Sequence, residues 1–162
     1  MGIRIFVTGG TFDKEYNELT GKLDFKDSLL PDLLEMGRSR LDTSIRTLML
    51  IDSLDMTDTD RNIILESCER CEEKQIVITH GTDTMAETAK LLGQHIKDKT
   101  IVMTGAMIPI RFGSSDGLFN LGGALAYVQT LPPGVYVAMN GRYYNWDNVR
   151  KNRQTGYFEE LR

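Results

Sequence analysis

Cysteine is nearly absent from the 162 residues, with only Cys68 and Cys71 present. Their C-x-x-C spacing invites a redox or zinc reading. Both fall late in a helix predicted from Asp58 to Glu73, whereas a reactive pair needs a helix start and a zinc site needs further ligands. The acidic flanks Glu69, Glu72 and Glu73 raise thiol pKa values, so the pair reads as structural. Histidine is as scarce. His80 precedes a turn and reads as a hydrogen-bonding residue, and His95 sits at a helix C-terminus where positive charge is welcome. No metal constellation is visible, so no metal or cofactor is expected. Positive charge is not in excess either. Lys and Arg number 19 against 23 Asp and Glu, a net charge of −4, which argues against a nucleic-acid or membrane-surface partner. The longest uncharged run, Gly117 to Gly141, is broken by Asn120, Gln129 and Pro132-Pro133, and is not a membrane span. The N-terminal MGIRIFVTGG is too short an apolar run for a signal-peptide core, and Phe6 stands where myristoylation needs Ser or Thr. A cytoplasmic protein is expected.

What is present is an alternation of strands and helices. Ile3 to Val7, Ile45 to Ile51, Gln75 to Thr79, Thr100 to Thr104 and Val135 to Met139 read as strands, several of them short, β-branched and apolar on both faces. Between them lie helices over Asp27 to Gly37, Asp58 to Glu73, Met85 to Ile96 and from Ser114–Asp116 to about Leu131. Ile63, Ile64 and Leu65 are expected to face inward. Gly122, Gly123, Ala124 and Ala126 give the last helix a small-residue face for close packing. Phe12 to Phe25 reads as a β-hairpin turning over Asn17 to Gly21. The tail, Asn140 to Arg162, is polar and aromatic. This pattern predicts one three-layer α/β domain over residues 1–162, a mostly parallel sheet flanked by helices.

The chemistry-bearing residues gather at strand ends. QIVITHGTDTM, residues 75–85, runs from a buried strand through His80-Gly81 to Thr82, Asp83 and Thr84, two hydroxyls and a carboxylate where open α/β sheets bind ligands. The same residues also serve as helix N-caps. Thr8-Gly9-Gly10-Thr11 and Thr104-Gly105 repeat the feature, and Ser53 ends a fourth strand. Gly9-Gly10 lacks the following Gly-Lys-Ser/Thr of a P-loop, and no Gly-x-Gly-x-x-Gly is present. Hydroxyls collected on one sheet edge suit nucleophilic attack, for which a lysine or tyrosine would have to replace the missing histidine base. Tyr16, beyond Thr11, can be a lid and proton shuttle or plain amphipathic surface, the default for such a residue.

Taken together, Thr8-Gly9-Gly10-Thr11, His80-Gly81-Thr82-Asp83-Thr84-Met85, Thr104-Gly105-Ala106-Met107 and Ser115-Asp116-Gly117-x-x-Asn120-Leu121 resemble the bacterial-type L-asparaginase/glutaminase family. The order and spacing match essentially along the whole chain, and only the family's N-terminal domain. The resemblance implies a flavodoxin-like sheet and hydrolysis of L-asparagine to L-aspartate and ammonia by a threonine-nucleophile double displacement. It further implies that Thr11 is the nucleophile, with Tyr16 helping to activate it, and that Thr82, Asp83 and Lys151 form a relay. Ser53 would hold the substrate α-carboxylate, and Gly10, Gly81 and Ala106 would line the pocket. Backbone N–H groups near Thr11 and Thr82 would form an oxyanion hole. A small-molecule substrate, L-asparagine with L-glutamine as a second choice, and a homodimer or larger homo-oligomer are implied too.

Two departures bear on substrate recognition. The family's C-terminal domain, which lends an acidic residue to a neighbouring subunit's site, is not part of these residues. Leu54 stands where the family commonly has a glutamine that contacts the substrate amino group. The expectation is weak, millimolar affinity, or a substrate without a free α-amine, with Glu159 and Glu160 as substitutes across a dimer interface. The alternative to an enzyme is a non-catalytic amino-acid-binding module that retains the pocket.

Overall fold

A computed structural model describes residues 2–25 and 27–162; Met1, which opens the N-terminal run weighed above as a signal, and Lys26 lie outside the described residues. In chain order the elements are β1 (Ile3–Gly9), a 3-10 turn (Thr11–Asp13), β2 (Lys14–Asn17), β3 (Lys22–Phe25), α1 (Leu30–Met36), β4 (Thr43–Ile51), a 3-10 turn (Ser53–Asp55), α2 (Asp58–Arg70) and β5 (Gln75–Thr79). Then follow α3 (Met85–His95), β6 (Thr100–Thr104), a 3-10 turn (Ile110–Phe112), α4 (Gly117–Thr130), β7 (Gly134–Met139), β8 (Arg142–Asn145), β9 (Arg150–Lys151) and β10 (Phe158–Glu159). Six strands form one sheet in the order β4-β1-β5-β6-β7-β8. All neighbours are parallel except β8, which returns antiparallel on β7.

The double-sided apolar runs are what bury this sheet. On one face Phe6, Ile76, Ile78, Ile101, Met103, Val135 and Val137 pack with α2 and α3 side chains such as Ile64, Ala89 and Leu92. On the other, Ile5, Val7, Val77, Val102 and Ala138 pack against Leu30 and Leu33 of α1 and Leu121, Ala124 and Val128 of α4. This is the expected three-layer α/β sandwich. The hairpin of β2 and β3 also forms, with Lys14 opposite Phe25 and Asn17 opposite Lys22.

Several expectations need correction. Ile64 and Leu65 are buried but Ile63 is exposed, because consecutive residues on a helix point about 100° apart. Helix α2 stops at Arg70, and the buried Lys99 ammonium donates to the carbonyls of Cys68 and Cys71 at 2.5 and 2.6 Å. Burial pushes the Cys68 thiol pKa up, with further upward shifts from Cys71 and Glu69. Gly122 and Ala126 face outward and a Cβ on Gly122 would meet nothing within 4 Å, so the small residues of α4 do not form a packed face. The tail, for which no elements were expected, contains β8, β9 and β10. Asn140 and Gly141 (φ 60° and 80°) turn β7 into β8, the left-handed pair that a two-residue hairpin requires.

Candidate active site

The carboxyl ends of β1, β4 and β5 meet at one point, and two glycines permit it. Gly10 has φ 81°, and a Cβ there would stand 2.4 Å from Gly81 Cα. A Cβ on Gly81 would in turn stand 2.6 Å from Ser53 Oγ. The turns carrying Thr11 and Thr82 therefore meet backbone to backbone, and the Thr82 turn lies against the Ser53 side chain, with no room for a side chain at either glycine.

The tail completes the cluster. Lys151, on β9, donates from Nζ to Thr82 Oγ at 2.8 Å and to Asp83 Oδ1 at 3.0 Å. Arg153 donates to the same Asp83 Oδ1 at 2.8 Å and to the Asp83 carbonyl at 2.9 Å. Burial opposes ionisation of Asp83, but the hydrogen bond and charge of Lys151, followed by those of Arg153, outweigh it and hold the carboxyl below the ordinary carboxylate range. Nearby, Lys14 pairs with Asp52 at 2.5 Å and lowers its pKa, partly opposed by burial, while Leu54 N–H and the Lys151 charge lower it further.

The remaining sequence candidates are placed less uniformly. Thr11 opens the turn after β1, half-buried. Ser53 is 1% exposed; its Oγ accepts the Thr84 N–H at 3.3 Å and its carbonyl accepts the Thr84 hydroxyl at 2.9 Å. Ala106 lies in the core beneath α4, so only its backbone is left to face a ligand. Tyr16 is 56% exposed on the hairpin, with its hydroxyl turned over Gly21 rather than bonded to Thr11. Glu159 is occupied by Arg150 at 2.8 Å, and Glu160 lies 4.0 Å from Arg142. Asp116 is the N-cap residue of α4, but its carboxylate accepts the N–H groups of Met107 and Ile108 at 2.9 and 3.0 Å and ties down the loop after β6. The repeated strand-end hydroxyls do not all reach the site either. Thr8 donates to the Thr79 carbonyl and Thr104 to the Ala138 carbonyl, both at 2.7 Å, so these two cross-link strands.

His80 is the hydrogen-bonding residue expected, but the buried Arg61 and Thr88 that surround it escaped sequence reasoning. Arg61 donates to Thr88 Oγ at 3.1 Å, Thr84 Oγ at 2.9 Å and the Met56 carbonyl at 3.2 Å. His80 spans Gly81 O at 2.7 Å and Thr88 Oγ at 2.8 Å. A carbonyl can only accept, so His80 Nδ1 carries the proton and Nε2 accepts the Thr88 hydroxyl. Burial lowers the His80 pKa to about 4, opposed by the Gly81 bond and assisted by the Arg61 charge, so the imidazole is neutral. Arg61 sits inside an otherwise charged helix and carried no signal of its own.

No group of three or more His, Cys, Asp or Glu poised for a metal occurs among the described residues. Chemically, the cluster offers a threonine hydroxyl in contact with an amine that a carboxylate fixes, with a second threonine on the adjoining turn.

Residues 2–158 match the family described as Asparaginase, N-terminal. The chain is 34% identical to L-asparaginase 2 of Escherichia coli (strain K12) over 94% of its own length and 47% of that protein. Its fold is similar to the thermostable L-asparaginase from Thermococcus kodakarensis, with a TM-score of 0.87, 30% identity and coverage of 99% of this chain and 51% of that one. It is also similar to a probable cytoplasmic L-asparaginase from Campylobacter jejuni, with a TM-score of 0.81, 32% identity and coverage of 98% and 52%. The chain thus spans about half the length of these relatives, and it belongs to the asparaginase family through that family's N-terminal domain.

Proposed function

We propose that residues 1–162 form a catalytic domain that hydrolyses L-asparagine to L-aspartate and ammonia, with weak, millimolar affinity. Thr11 Oγ attacks the side-chain amide carbon, and the new oxyanion rests on backbone N–H groups at the Thr11 and Thr82 turns. The C–N bond breaks, ammonia leaves, and water then cleaves the acyl-threonine ester to release aspartate and restore the hydroxyl. The Thr82–Lys151–Asp83 chain takes up and returns the proton. Ser53 and Gly10, Gly81 and Ala106 shape the pocket floor, and Tyr16 reaches Thr11 only if the hairpin closes. A cytoplasmic homodimer or larger assembly belongs to this reading on family resemblance.

The observation that carries the reading is the contact of Lys151 Nζ with both Thr82 and Asp83, across 69 and 68 residues of sequence. A residue that served only to cap a helix would not need an amine delivered from the tail. The test is ammonia release from L-asparagine up to tens of millimolar, by the native protein and by Thr11→Ala, Thr82→Ala and Lys151→Met. Native turnover, reduced at least a hundredfold in each variant without loss of melting temperature, is expected. No turnover, with ligand still raising the melting temperature, would leave a binding module instead.

A further inference from the structure

Arg61 is 8% exposed and bonds, directly or through one or two side chains, to both the Ser53 turn and the Thr82 turn. A guanidinium has five N–H groups and no acceptor, so every hydrogen bond it makes runs outward and fixes the direction of the next. Two donor chains leave it. Along the first, Arg61 Nε donates to Thr88 Oγ at 3.1 Å, the Thr88 hydroxyl to His80 Nε2 at 2.8 Å, and His80 Nδ1 to the Gly81 carbonyl at 2.7 Å. Along the second, Arg61 Nη2 donates to Thr84 Oγ and the Thr84 hydroxyl to the Ser53 carbonyl, both at 2.9 Å. Arg61 Nη1 also donates to the carbonyl of Met56, the residue that closes the Ser53 turn, at 3.2 Å. Glu87 and Asp58 approach the guanidinium only at 3.5 and 3.9 Å and are themselves exposed, so neutral oxygens take its short bonds.

The first chain ends on a carbonyl that shares a planar trans peptide with the Thr82 N–H. The carbonyl and N–H of such a peptide point in opposite directions. Drawing the Gly81 carbonyl toward the buried His80 therefore turns the Thr82 N–H away from the core, where it meets no backbone acceptor among the described residues. We propose that Arg61 is a positioning residue for the site. Through Thr88 and His80 it aims the Thr82 N–H at the oxyanion, and through Thr84 it sets the Ser53 turn that holds the substrate carboxylate. The inference rests on the amide-hydrolysing reading above and deepens it. Lysine cannot replace this residue, because its charge sits on one nitrogen and cannot fill the places of Nε, Nη1 and Nη2 together.

The test separates the two chains. Thr88→Val and Thr84→Val keep the side-chain shape and each remove one hydroxyl, whereas Arg61→Lys keeps the charge and breaks both chains. Kinetics with L-asparagine are read on variants whose melting curves show them folded at the assay temperature. An oxyanion donor acts in the transition state alone, whereas a carboxylate site acts on bound substrate as well. Losing an oxyanion donor outright costs about 10²–10³-fold, so a mis-aimed one in Thr88→Val is expected to lower kcat about tenfold with KM nearly unchanged. Thr84→Val is expected to raise KM about tenfold with kcat nearly unchanged. Arg61→Lys should do both, and adding Thr88→Val to it should lower kcat no further. If Arg61→Lys does not fold, the split between the two threonine variants decides. A general loosening would move kcat and KM together in both, and that result, or no change in either, would overturn the inference while leaving the amidohydrolase reading intact. If the native protein hydrolyses nothing, that reading fails, and the Ser53 chain is read from the rise in melting temperature given by L-aspartate. A rise diminished in Arg61→Lys and Thr84→Val but kept in Thr88→Val supports the positioning role. A rise equal in all four proteins, or absent from the native one, overturns it.

Discussion

Asp13 and His80 are buried titratable groups whose effects on stability oppose each other. Asp13, 1% exposed, ends the Thr11 turn; its Oδ1 accepts from Ser28 Oγ and Leu29 N, and its Oδ2 has no partner among the described residues. Burial raises its pKa from 3.8 to about 6, against the lowering effect of those two hydrogen bonds. A raised acid favours folding below its unfolded pKa and loses that contribution as pH climbs through about 6. His80 runs the other way. Its pKa falls from 6.5 to about 4, so its contribution is complete above 6.5 and is lost as pH drops toward 4. Between pH 4 and 6 the two slopes cancel in large part. Asp83 and Asp52, held below 3.8, lose their contributions beneath that window. Asp13→Asn keeps the Oδ1 acceptor and removes the ionisation, leaving the His80 slope alone. Its urea midpoint should fall on acidification from pH 6.5 to 4, at up to about 1.4 kcal/mol per pH unit, while that of the native protein stays nearly flat. A flat variant would mean that His80 does not remain neutral in the fold.

Among the elements, the glycines separate into those the fold requires and those it tolerates. Gly10 combines a left-handed φ with backbone contact to Gly81, and no shift of a flexible side chain can relieve that. Gly122 lies mid-helix in open space, where alanine only reduces the entropy of the unfolded chain. Gly10→Ala should destabilise by at least about 2 kcal/mol, and Gly122→Ala should stabilise by about 0.5–1 kcal/mol, both read from denaturant midpoints. The same contrast shows what sequence can reveal at this scale. The runs Ile76-Val77-Ile78 and Ile101-Val102-Met103 announce buried parallel strands because both faces are apolar. Thr82 and Asp83 were legible because a strand end and a helix start pin them locally. Asn140-Gly141 is a local signal of the same kind, the dipeptide of a tight hairpin, and reading it would have found β8 inside the tail. The Arg61–Thr88–His80 network and the second cation on Asp83 have no local signature. They arise from side chains 27 and 70 residues apart in sequence, which only the packed fold brings together.

At the scale of the whole molecule, the site depends on the last 20 residues folding back across the sheet's carboxyl edge. Lys151 belongs to a two-residue strand whose partner is β10, with Phe158 directly opposite it. Phe158 is 4% exposed within the core under α3, and its carbonyl accepts the Tyr144 hydroxyl at 2.8 Å. Phe158, together with Val149 two residues before Lys151, therefore anchors the segment that carries the amine. The single tryptophan reports on that anchoring, because Trp146 lies against α3 so closely that a Cβ on Gly93 would stand 2.3 Å from its ring. Phe158→Ala removes a buried ring, a change that costs about 3–5 kcal/mol in well-packed cores. The central strands β1, β5 and β6 do not touch that ring's strand through the sheet ladder, so they can persist while the tail opens. Trp146 fluorescence in Phe158→Ala should then change at a lower urea concentration than far-UV circular dichroism, and turnover should follow the fluorescence. In the native protein the two transitions should coincide. If they also coincide in the variant, shifted together, the tail is part of one cooperative unit, and the Lys151 contact is as stable as the sheet itself.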